Sequence, residues 1–136
     1  MGSRTTPGAR RTSRPRSKQF RLKRVYEPPR RKDGCRIRVE RLWPRGVSKD
    51  KARIDLWLRE IAPSHRLRTW FAHDPKKWPG FLEKYGEELR DKQEAIRHLR
   101  RLAESKGRLT LLFAAKDEKY NNAVALHLFL TENWQR

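Results

Sequence analysis

The stretch "RLTLLFAA", residues 108–115, constrains this chain more than any other. It follows a helix-stopping Gly107, is apolar almost throughout, and gives way at once to the polar run "KDEKYNN". A strand that is apolar on both faces has to be covered on both, which is the position of a central strand in a parallel sheet. Parallel strands need crossover connections, usually helices, and 136 residues suffice for one such domain.

The rest of the chain supplies the parts. "FRLKRVY" alternates as a strand, and "EPPRRKDG" after it reads as a loop, with Pro28 and Pro29 excluding a helix. "CRIRVERL" sets Cys35, Ile37 and Val39 on one face against Arg36, Arg38 and Glu40 on the other. "RIDLWLREIAPS" fits a strand ending near Ala62–Pro63, although Ile54, Leu58 and Ile61 would also line a helix. Ser64 is placed to cap a short helix through Trp70. Phe81, Leu82, Tyr85 and Leu89, then Ile96, Leu99, Leu102 and Ala103, keep a helical period as one long helix or two adjoining ones. A last helix is expected from about Glu118 to Trp134. Strands interleaved with helices predict a small three-layer α/β domain over residues 20–136, its largely parallel sheet flanked by helices.

Residues 1–19 are different in kind, rich in Pro, Gly, Ser, Thr and Arg with almost nothing apolar. They read as a disordered basic arm carrying Arg10, Arg11, Arg14 and Arg16, a candidate nucleic-acid contact. The whole chain carries a net charge of +19, which favours polyanions through counterion release. No apolar run has the length of a membrane span, and no secretory signal is visible. With Cys35 as its one cysteine, an intrachain disulfide is impossible, and a cytoplasmic location is expected.

In a parallel sheet, ligands bind beyond the carboxyl ends of the strands. That rule selects two segments. One is Arg41, Trp43 and Arg45 in "ERLWPRGVSK"; the other is Lys116, Asp117, Asn121 and Asn122 in "AAKDEKYNN". Arginines recognise phosphate or carboxylate bidentately, and a helix start adds backbone N–H donors and a favourable dipole. The expectation is an anion-binding pocket for a phosphate-bearing small molecule or a nucleic-acid end. Asp117 and His73 are its acid-base candidates, in an enzyme or in a non-catalytic nucleic-acid or nucleotide binding module. Plainer roles compete: Asp117 as a helix cap, Trp43 as sheet-edge packing, and Asp74 as a cap before Pro75 rather than a partner orienting His73. The four histidines and one cysteine form no metal-ligand spacing, and no Gly-rich loop suggests a nucleotide cofactor, so neither metal nor cofactor is expected. Cys35 starts a strand, away from the predicted rim, which argues against a catalytic thiol.

The ordered motifs "LKRVYEPP", "RVERLWPRGVSK", "DLWLREIAPS", "FAHDPKKWPGFLEKYGEEL" and "TLLFAAKDEKYNNAVAL" resemble the YeaO-like branch of domain-of-unknown-function family 488 over about residues 20–133. The resemblance implies a compact α/β domain and gives weight to Arg41, Trp43, Arg45, His73, Asp74, Lys116, Asp117, Asn121 and Asn122 as motif positions. Glu40 stands where that pattern has Asp, and Tyr120 where it commonly has His, which removes an acid-base group from any mechanism relying on that histidine.

Overall fold

Strand β4 (Leu109–Phe113) is buried at every residue and is paired on both sides, as its composition requires. It lies between β1 (Phe20–Arg24) and β2 (Cys35–Arg38), and the short β3 (Leu56–Trp57) closes the far edge. The sheet order is β1-β4-β2-β3, and all three pairings are parallel. Leu22 and Ile37 both stand opposite Leu111, so the middle of the sheet is aliphatic across three strands. This computed structural model describes residues 19–132; residues 1–18 of the expected arm, with Arg10, Arg11, Arg14 and Arg16, and Trp134 lie outside the described residues.

The helices are α1 (Lys49–Ala52), α2 (His65–Phe71), α3 (Trp78–Arg90), α4 (Gln93–Lys106) and α5 (Asn122–Thr131). Ser64 caps α2 as expected, its hydroxyl accepting from Leu67 N–H at 3.1 Å while donating to Glu88. The long helical stretch divides at Asp91–Lys92, and Gly107 ends α4 in the left-handed region. Tyr85, Phe81, Phe129, Leu99 and Leu126 are fully buried and join Ile37, Leu109 and Leu111 in one core on this helical face of the sheet. The other face is covered thinly by α1 and loops, over a small cluster of Val25, Ala52, Ile54 and Leu112 with Trp43 and Val47. The expected α/β domain with a parallel sheet is what the chain forms.

One element departs from expectation. The strand in "RIDLWLREIAPS" stops at Trp57, and residues Arg59–Ile61 wind into a 3₁₀ turn. Leu58 N–H still donates to Arg38 O at 2.9 Å, after which the amides of Ile61 and Ala62 close back on Leu58 and Arg59. The turn drives both Leu58 and Ile61 into the main core. The apolar spacing that suggested a helix was therefore reporting burial of a turn.

The polar face of β2 does not meet water: Arg36 is 2% exposed and Arg38 is 3%. Arg36 Nη1 donates to Asp33 Oδ2 at 2.6 Å, and Lys23 Nζ reaches the same carboxylate at 2.9 Å. Burial alone would raise the pKa of Asp33, but hydrogen bonds from Lys23, Arg30 N–H and Arg36 outweigh it and hold the carboxyl below its usual range. Gly34 permits the approach that keeps this corner closed. Its φ is 68°, and a Cβ there would sit 2.3 Å from Arg108 O, the carbonyl that accepts Cys35 N–H.

Candidate functional site

The carboxyl ends of β2 and β4 open into a cleft of about 410 Å³, where the strand rule puts a ligand. Arg38, Glu40 and Arg41 enter from the end of β2, and Ala114 and Ala115 from the end of β4. Asn121 and Asn122 contribute from the start of α5, and Arg68, Phe71 and His73 from α2 and the residues after it.

Local structure explains each position. Asn121 is the N-cap of α5: its Oδ1 accepts from Val124 N–H at 2.9 Å, and its Nδ2 donates to Asp117 O at 2.9 Å. Asn122 ties the helix start to the sheet by donating to Val39 O at 3.3 Å. Beneath it, the buried Tyr85 hydroxyl donates to Ile61 O at 2.7 Å, and burial pushes its pKa far up. His73 follows α2 through two successive left-handed residues, Ala72 at φ 48° and His73 itself at φ 57°. Non-glycine residues adopt this region at a cost, and such positions concentrate at sites where a side chain must be aimed.

Charge is organised around Arg38. Its Nε and Nη2 donate to Leu42 O, and Nη1 forms an ion pair with Glu40 Oε1 without the alignment of a hydrogen bond. Burial lowers the pKa of Arg38, and the adjacent Glu40 carboxylate opposes that shift. Glu40 Oε1 also accepts from Ala114 N–H at 3.2 Å, joining the two strand ends. Arg68 differs: its Nε is buried with no acceptor among the described residues, while Nη2 lies 3.4 Å from His65 Nδ1.

The sequence-derived candidates divide. Arg41, His73, Asn121 and Asn122 come together at the cleft, whereas Trp43, Arg45, Lys116 and Asp117 do not line it. Trp43 packs edge-on against Trp57 at 5.2 Å, and its Nε1 donates to Val47 O at 2.8 Å. Arg45 is exposed, its carbonyl accepting from Tyr26 OH, and Lys116 is exposed too. Asp117 Oδ1 accepts from the N–H groups of Lys119 and Tyr120 at 2.8 and 3.0 Å. These bonds, with the nearby His73 charge, hold its carboxyl below the ordinary range. Asp74 caps the turn at Pro75–Lys77, accepting from Lys76 N–H at 3.0 Å. Arg38, Glu40 and Arg68 were not among the candidates. Arg38 and Glu40 alternate on one strand face, a signal the sequence does carry, but nothing in it points to Arg68. Among the described residues no group of three His, Cys, Asp or Glu gathers as metal ligands would, and no helix is long and apolar enough to cross a membrane.

These features define a small α/β domain whose parallel sheet opens, at its carboxyl edge, into a cleft lined by arginines, a carboxylate and a helix start. The chain belongs to the DUF488-N3i family, described as an inactive DUF488-N3 subclade, whose sequence model matches residues 19–136. It is 41% identical over 104 residues to the uncharacterised protein YeaO of Escherichia coli (strain K12), covering 76% of this chain and 90% of that protein. It is also 41% identical over 87 residues to an uncharacterised protein of Mycobacterium tuberculosis (strain ATCC 25618 / H37Rv), covering 64% of this chain and 73% of the relative. No solved structure matches the chain.

Proposed function

We propose that this domain binds a phosphate-bearing ligand in the carboxyl-edge cleft and does not transform it. The observation that carries the reading is Arg68, a cation in the cleft wall whose buried Nε has no acceptor among the described residues. Buried donors are normally satisfied, and a guanidinium is satisfied best by an oxyanion. Arg41 and His73 line the same cleft, and the N-terminus of α5 adds its dipole. Glu40 does not cancel this charge, since it is paired with Arg38.

The non-catalytic half rests on the groups acid-base chemistry would need. Asp117 is engaged by two backbone N–H groups and stays ionised, so it acts as a cap and not as a proton donor. Tyr120 occupies the position where the family resemblance leads one to expect histidine, and the family's own description as inactive agrees. The domain works in the cytoplasm on this reading, where a lone thiol such as Cys35 stays reduced.

Calorimetric titration with nucleoside 5′-monophosphates and the matching nucleosides tests the proposal. The phosphate-bearing ligands should bind and the nucleosides should not; Arg68→Gln should weaken binding by about tenfold or more, as expected for one lost charge-assisted hydrogen bond. Phosphorus NMR should recover the ligand unchanged after long incubation. Equal binding by the nucleosides, or indifference to both Arg68→Gln and Arg41→Gln, overturns the anion reading. A new phosphorus resonance overturns the non-catalytic one.

The net charge of +19 favours a second reading, a nucleic-acid binding module. It predicts affinity for DNA or RNA that falls steeply with salt and is mostly lost on deleting residues 1–19. A flat salt dependence rejects it.

A further inference from the structure

A second cleft, of about 570 Å³, lies at the amino ends of β2 and β3, the sheet edge opposite the site above. Arg30 and Arg31 line it from the loop after β1, Arg53 and Asp55 from the segment entering β3, and Arg36 from β2 itself. Four arginines thus meet one carboxylate. That carboxylate is already engaged, since Asp55 Oδ2 accepts from Arg36 N–H at 2.8 Å. Asp33 is shared among Lys23, Arg36 and the N–H of Arg30.

Arg36 gives this cleft its significance. The residue is 2% exposed, with Nε donating to Ala52 O at 2.9 Å and Nη1 to Asp33 Oδ2 at 2.6 Å. Its third nitrogen, Nη2, is buried and has no acceptor among the described residues. A buried cation with unmet donors is a costly arrangement. With two nitrogens fixed by the protein, the guanidinium is rigidly held and its remaining donors are set for one further acceptor. The lining sets four arginines against the one carboxylate of Asp55, which Arg36 N–H already engages, so the missing acceptor is an anion brought from outside.

We infer that the amino-edge cleft is a second anion site, taking one phosphate group on Arg36 Nη2 with Arg30, Arg31 and Arg53 around it. Planar guanidinium forks match phosphate oxygens, and several arginines on one group balance its charge. Nη2 is shielded from bulk water, so a phosphate reaches it only when the exposed side chains around it, Arg30, Arg31 and Arg53, are displaced. The same chemistry is offered by a free phosphate ester and by a phosphodiester of a nucleic-acid backbone. The site shares no lining residue with the carboxyl-edge cleft and stands or falls independently of it.

The full chain labelled with ¹⁵N-arginine provides the test. The Arg36 Nε–H, held by Ala52 O, reports directly on its own guanidinium. Inorganic phosphate titrated at constant ionic strength against chloride should shift this resonance saturably. Arg53→Gln and, as a second variant, Arg31→Gln should each raise the phosphate concentration needed by about tenfold, while Arg41→Gln leaves it unchanged. A short oligonucleotide without terminal phosphates distinguishes the sources. If it moves the Arg36 signal, the ligand is a backbone diester; if only inorganic phosphate does, it is a free ester. An Arg36 signal that stays fixed, responds equally to chloride, or is insensitive to both Arg53→Gln and Arg31→Gln overturns the inference.

Discussion

On one face of the sheet Ile37 and Leu111 share a core with Phe81, Tyr85 and Phe129; on the other, Arg36 and Arg38 leave the same strand and are buried as deeply. The helical face is held by contacts that are non-directional and add up across many side chains. The thin face joins a small apolar cluster to a few ion pairs, Lys23–Asp33–Arg36 and Arg38–Glu40, each of which needs its partner in place. Loss of one methyl group on the first face is spread over its neighbours. Loss of one carboxylate on the second leaves a buried cation alone.

The largest effect should come from the helical face. Phe81→Ala should cost about 4 kcal/mol, the usual loss for a buried phenyl ring, read as a lower urea midpoint at unchanged slope. A loss below about 1 kcal/mol would show that this face is loosely packed. Next, Asp33→Ala should cost about 3 kcal/mol by orphaning Arg36 and Lys23. Replacing Asp33 and Arg36 together by Leu and Met should regain most of that loss, since an ion pair is often exchangeable for apolar packing. If the double variant is no better than the single one, the arginine has a role beyond pairing.

The acid limb of stability sharpens the same contrast. Asp33 titrates in the folded chain below its ordinary 3.8. Its stabilisation is therefore complete above that value and is lost as the pH falls through the lower, folded value. Asp33→Asn should flatten this part of the pH–stability curve, whereas Phe81→Ala should shift the whole curve without changing its shape. Asn121→Ala should cost about 1 kcal/mol through loss of the α5 cap, visible in thermal unfolding. At the bottom of the scale, Glu94→Ala breaks an exposed pair with Arg97 and should leave the unfolding midpoint where it was.

The same division decides how much of the molecule was legible in the sequence. β4, α3, α4 and the Ser64 cap were readable because apolar periodicity and capping residues are local signals. "CRIRVERL" was readable as a strand, but alternation says which face is apolar, not whether the polar face meets water. The burial of Arg36 and Arg38 depends on α1, on Asp33 and on the loop at Leu42. The carboxyl-edge cleft was legible in part for a related reason. Arg41 follows β2 closely, and Asn121 and Asn122 open the helix after β4, so topology brings them to one edge. Lys116 follows a strand too, yet it remains exposed outside the cleft, and Arg68 arrives from a helix whose docking no local pattern encodes.

Glu40 has a consequence for how this sequence can drift. Its carboxylate meets Arg38 at the end of β2 and the amide of Ala114 just past β4, so one side chain serves as a rung between two chain segments 74 residues apart. Shortening it to the aspartate that the family resemblance leads one to expect withdraws that rung by one methylene. Position 40 is therefore not free to vary alone. Lineages that exchange Glu for Asp there should show a matching adjustment at position 38 or in the backbone at 114, and a comparison of many relatives would register it as correlated change.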